Sequence, residues 1–197
     1  TWDFGDGTFS AQANPVHVYL TKGAYSARVS VSDGVNTSLS VPIAISVGSP
    51  PVPSIFSPVA NLTFRAGDVI AFGGDANDAE DGVLPASAFQ WSIDFLHEGH
   101  VHPGLPVTGV KSGTFTIPTN GHDFSGNTRY RFTLTVTDSD GLQGSTSVLI
   151  FPQKVNLTFD TVPGGLEVTL DGIPHVTPFV YDTLVSFQHT IEAKNQV

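Results

Sequence analysis

The chain has 197 residues and a formal net charge of −10, with 8 Lys plus Arg against 18 Asp plus Glu, so no cluster of positive charge exists to neutralise phosphates. Nucleic acid and membrane insertion are thereby excluded as expectations, the latter also because no apolar run approaches the ~18 residues that a bilayer span requires. The absence of Cys removes disulfides, thiolate ligands and thiol nucleophiles together.

The predicted elements are strands. Apolar residues alternate with period two in runs bounded by Gly, Pro, Asn and Asp, and helix signals are nearly absent. The expected fold class is all-β, built from tandem sandwich modules. The chain opens with Trp2-Asp-Phe-Gly-Asp-Gly7, His17-Val-Tyr19 and Gly23-Ala-Tyr25. An alternating run from Ala24 to Ser32 follows and stops at Asp33-Gly34. These spaced motifs resemble a PKD domain, a family of extracellular β-sandwiches. The resemblance covers residues 1–48 and begins at the family's third strand, which implies an incomplete sandwich with an exposed inner face. Asp3 and Asp6 read as parts of the turn motif, and His17 as a packing residue.

Val47-Gly-Ser-Pro-Pro-Val-Pro53 reads as a semi-rigid polyproline linker, placing a first boundary there and giving the first module more freedom than the others. A middle module over 49–153 is expected to have strands at Asn61–Phe64, Asp68–Gly74, Ser87–Leu96, Leu105–Val110, Gly113–Ile117, Thr128–Thr137 and Gly144–Phe151. Its Arg129–Thr137 run repeats the pattern of Ala24–Ser32, a weak internal repeat. This module looks Ig-like. Residues 154–197, with Thr161-Val-Pro-Gly-Gly165, Val168-Thr-Leu-Asp-Gly172 and Thr177-Pro178, resemble the start of a PEGA-type β-domain. The order of the three is similar to the non-catalytic C-terminal region of secreted bacterial quinoprotein glucose/sorbosone dehydrogenase-type proteins.

The middle module's most unusual stretch is Phe89 to Pro103. Phe89, Trp91, Ile93 and Phe95 share one face of a strand, which then empties into a loop holding His97, His100 and His102. Successive strands of such a sandwich run up and down, so alternate loops share an end. That parity places His122 and Asp123 at the histidine pole. At the opposite, acidic pole it gathers Asp75, Asn77, Asp78, Glu80 and Asp81 with Asp138 and Asp140.

Carboxylates from two loops suit calcium, which takes oxygen ligands in flexible geometry, while Asp and Asn also serve simply as turn residues. Imidazoles suit a late transition metal such as zinc or copper. The ligand set is His97, His100 and His102, with His122 or Asp123 as fourth partner. Such a metal ties loops together, or, with an open fourth position, activates water. The plainer reading is a polar loop in which His fills hydrogen-bonding roles. His175 is expected in a turn and His189 in a strand over Val185–Ala193, neither with clustered partners.

No Gly-x-Ser-x-Gly elbow, Walker loop or Rossmann fingerprint occurs. The leading expectation is therefore non-catalytic extracellular modules of a larger secreted or cell-surface protein, acting as spacer and binding or adhesion element. Its partners are neighbouring modules, with carbohydrate or a cell-surface protein as further candidates. A fibre subunit completed by strand donation between chains, a homo-polymer, is the alternative, and a metal-dependent site at the histidine loop a second one.

Overall fold

The structure is a computed structural model and describes residues 1–193. Its regular elements are strands, apart from one turn of 3₁₀ helix at Ala86–Ala88. Among the described residues, no helix is long and apolar enough to cross a membrane. The chain is all-β, in tandem sandwich-type modules.

The first module centres on Gly23–Ser32, whose alternation puts Ala27 inside. Trp2–Asp3, Thr37–Leu39 and Ile43–Val47 all pair with it in one sheet. A ring stack packs on the central strand through Tyr25, whose ring lies 4.6 Å from that of Tyr19. His17 stacks on Phe4 at 4.0 Å and meets the edge of Tyr19 at 4.6 Å, while its Nε2 lies 2.7 Å from the Asp6 carboxylate. Asp3 and Asp6 accept backbone N–H bonds from Gly5 and Thr8, so both act as turn caps. Val18, Leu20, Val31, Leu39 and Val41 remain exposed.

The middle module is a sandwich. One sheet runs in the order His100–His102, Phe89–His97, Thr128–Thr137, Gln143–Pro152, Thr63–Phe64, and Val107–Thr108 also pairs with Phe89–His97. The facing sheet contains Ser112–Thr116, Val69–Asp78 and Val52–Ser57, with Gly82–Val83 beside Val69–Asp78. Their inner faces meet in a core that fully buries Trp91, Phe64, Phe89, Phe124, Phe132, Leu134 and Ile150. Each such aromatic contributes on the order of several kcal/mol through apolar area removed from water. Phe89, Trp91, Ile93 and Phe95 all point inward as expected. Asp94, on the opposite face of the same strand, is also buried, and it accepts a hydrogen bond at 2.8 Å from Arg131 directly across the ladder.

Several expected strand bounds change. The strand Val52–Ser57 begins inside the proline-rich linker and pairs with Val69–Asp78, because Pro is tolerated at an edge. Strand Val69–Asp78 runs four residues past Gly74, so Asp75, Asn77 and Asp78 are strand rather than loop residues. His100–His102 is a strand of its own, not an irregular loop.

Contacts cross both junctions. Ser49 donates from its backbone N–H and its hydroxyl to Glu80. Lys22 reaches Asp81 at 3.3 Å and Asp140 at 3.8 Å, and Ser46 Oγ donates to the Asp140 carbonyl. The first junction is therefore tied rather than loose. At the second junction, Leu184 joins the middle module's core, with Phe187 packed against it. The third unit pairs Lys154–Phe159 with Phe179–Leu184, and Glu167–Leu170 with Ile173–Val176 and Ile191–Ala193. Residues 194–197 of its expected span lie outside the described residues.

Candidate metal centre

The histidine pole is a tight hairpin. Strand Phe89–His97 turns through Glu98-Gly99 into His100–His102, with His97 opposite His100 and Phe95 opposite His102. The two turn residues have φ of 42° and 89°, as a two-residue primed turn requires, and Gly99 adopts its value without steric cost. Directly opposed residues share a face of the ladder. His97, His100 and His102 therefore project together, over Phe95.

One ring nitrogen from each of these three residues lies within 4.8 Å of the others. Tetrahedral zinc with Zn–N bonds of about 2.0–2.1 Å places its nitrogens about 3.4 Å apart, so the set would have to contract to hold one. Two of the donors are already stripped of other duties. His97 Nε2 and His102 Nε2 are buried and have no hydrogen-bond partner. Buried polar atoms without protein partners are uncommon, which sets these two ring nitrogens apart from the other histidine nitrogens of the module.

His122 arrives from the loop after Ser112–Thr116. Its ring centroid lies 4.6 Å from that of His102 and 4.6 Å from that of Phe95. Burial, and then the neighbouring His102 and His97, push its pKa below the usual histidine value, which keeps the imidazole neutral and its lone pair available. Asp123, the other expected fourth partner, is engaged elsewhere. Its carboxylate accepts from the Ser125 N–H at 2.7 Å and from the Tyr181 hydroxyl at 2.8 Å. Burial acts to raise the Asp123 pKa, but these hydrogen bonds outweigh it and hold the group below the ordinary carboxylate value.

The acidic pole is arranged differently. Asp75 is exposed, and its carboxylate pairs with Lys111 at 2.7 Å. Asn77 is likewise exposed on the strand. Asp78 Oδ1 accepts the N–H groups of Glu80 and Asp81. Asp81 accepts the Ser139 N–H at 2.8 Å, joining the two loops that parity places together. Asp138 caps its own turn through the N–H groups of Asp140 and Leu142. Among the described residues, only the histidine trio brings three such ligating groups together. Asp78 Oδ2 is nevertheless buried without a partner.

The sequence reading missed a cleft of about 560 Å³ between the second and third modules, lined by His122, Asp123, Asp171, Tyr181, Phe187 and His189. His175 lies in strand Ile173–Val176, stacked on Phe179 at 4.5 Å, rather than in a turn. His189 precedes the short strand Ile191–Ala193 and does have partners. Its Nδ1 lies 2.6 Å from Asp171 and its Nε2 lies 2.8 Å from the Thr183 hydroxyl. This Asp–His–Thr chain has the order of a catalytic relay, but Thr183 is only 2% exposed and cannot reach a substrate. The chain runs from exposed Asp171 through His189 to buried Thr183, with both ring nitrogens of the histidine bonded. The Asp171-Gly172 turn, where Asp171 has φ of 50°, was the available sequence signal.

The fold and the pole thus define a tandem β-sandwich assembly with a histidine-lined hairpin at one end of its middle module. Residues 1–47 match the family model of the PKD domain. Collagenase ColA of Bacillus cereus is 56% identical over 32 residues, which are 16% of this chain and 3% of the collagenase. Both matches agree with the PKD resemblance of the opening segment, and the family match ends before the middle module begins.

Proposed function

We propose that the chain is a series of non-catalytic β-sandwich modules of a larger secreted or cell-surface protein, serving as spacer and binding or adhesion element. We propose further that the middle module is tied at one end by a divalent transition metal, zinc or copper, held by His97, His100 and His102. The PKD match, with the collagenase relative, supports the extracellular, modular part. The metal rests on one observation: three imidazoles converge, and His97 Nε2 and His102 Nε2 are buried without partners. The Ig-like and PEGA-like assignments of the second and third units, with boundaries near 49 and 154, rest on their motifs and on the two junctions.

Isothermal titration with ZnCl₂ tests the metal. One equivalent should bind, and the His100→Ala/His102→Ala variant should not bind it. Equal binding by both proteins would dismiss the site. A second reading, calcium at the acidic pole, draws on the orphaned Asp78 Oδ2. It requires CaCl₂ to raise the melting temperature of the protein but not that of Asp78→Asn.

A further inference from the structure

His122 belongs to a loop of the middle module that packs Phe124 into that module's core and also carries contacts into the third module. Over residues 118–127 the attachments accumulate. The Thr119 carbonyl accepts from Gln188 N–H at 2.8 Å. Asp123 accepts from the Tyr181 hydroxyl at 2.8 Å. Phe124 meets Phe187 edge-on at 5.2 Å. Gly126 N–H donates to Asp182 at 3.1 Å, and Lys154 Nζ donates to the Gly126 carbonyl, to the Phe124 carbonyl and to Asp182. Its side chain nearest the histidine hairpin is His122, one residue before Asp123.

We propose that His122 closes the site as fourth ligand, and that the bound metal thereby locks the joint between the second and third modules. The inference rests on the metal reading above and adds a consequence to it. A metal held by four imidazoles when the loop is docked, and by three when it is not, favours the docked arrangement by the difference in affinity. The hairpin belongs to the sheet of the middle module, whereas the loop carries contacts into Tyr181, Asp182, Phe187 and Gln188. Ligation of His122 joins the two sets. Because Asp123 is already bonded to Tyr181 and Ser125, the division of labour between adjacent residues is fixed: one faces the metal and the other faces the third module.

Hydrogen exchange by mass spectrometry on the full chain, with and without saturating ZnCl₂, tests this. In the wild type, zinc should slow exchange in the hairpin and also, by about tenfold, at the Gln188 and Gly126 amides. In His122→Ala, and in His122→Gln as a bulkier control, zinc should still bind and protect the hairpin. Protection at Gln188 and Gly126 should be lost, and zinc affinity should fall by about tenfold. Zinc binding to the wild type with protection confined to the hairpin would overturn the locking role while leaving the three-histidine site intact. No binding to the wild type would overturn both.

Discussion

Phe124→Ala is the substitution that probes the histidine pole most deeply. Phe124 is 1% exposed, and its ring lies 5.0 Å from Phe95, 6.2 Å from Phe64 and 5.2 Å from Phe187. It therefore pins the His122 loop to the middle core and to the third module together. Truncation removes on the order of 150 Å² of buried apolar surface, or about 4 kcal/mol at roughly 25 cal/mol per Å². That agrees with the range of about 3–5 kcal/mol for buried Phe→Ala changes. With a urea slope of about 2 kcal/mol per M, the unfolding midpoint should fall by about 2 M. Fluorescence of Trp91 in a Trp2→Phe background follows the middle module alone. Phe124→Leu should recover about half of the loss. A midpoint shift below about 0.5 M for Phe124→Ala would refute the packing argument.

Other outcomes follow from the same geometry. Gly5 has φ of +78°, and a Cβ there would lie 2.6 Å from the Ser26 carbonyl, so Gly5→Ala should unfold the first module. Trypsin digestion would report this as rapid cleavage at Arg28, and unchanged resistance would contradict it. Lys22→Ala should leave the melting temperature nearly unchanged, since its pairs are half-exposed, yet increase the radius of gyration seen by X-ray scattering. Unchanged scattering would mean that Lys22 does not tie the first junction. For Asp94, burial acts to raise the pKa, but Ser92 and Arg131 outweigh it and hold the group below the ordinary value. A depressed folded-state pKa contributes stability above the unfolded value of about 3.9, which is lost as pH falls through the folded one. Asp94→Asn should remove that component, flattening the stability profile below about pH 4; an identical profile would remove Asp94 from the account.

Much of the fold was legible because period-two alternation reports burial directly. Thr128–Thr137 has the bounds expected of it, and the parity of up-and-down strands placed His122 beside His102 and Asp81 beside Ser139. The failures share a cause. Asp75, Asn77 and Asp78 have poor strand propensity, so a strand continuing through them is set by pairing with Val52–Ser57 and Gly82–Val83, which no local pattern displays. The hairpin reads as a loop in the sequence because three histidines obscure the alternation, although Glu98-Gly99 carries the turn. Choosing between His122 and Asp123 depended on Tyr181, nearly sixty residues downstream. The tie at the first junction likewise depended on Lys22 finding Asp81 across two modules. Such pairings are tertiary facts.

The imidazoles of the middle module are the proposed ligands of its transition metal. X-ray absorption at the zinc edge, on protein loaded with one equivalent, measures the ligands themselves. A first shell of three or four nitrogens at about 2.0–2.1 Å, with the outer-shell scattering of imidazole rings, is the predicted result. A shell of oxygens alone, or zinc that washes off without an ordered site, would contradict it.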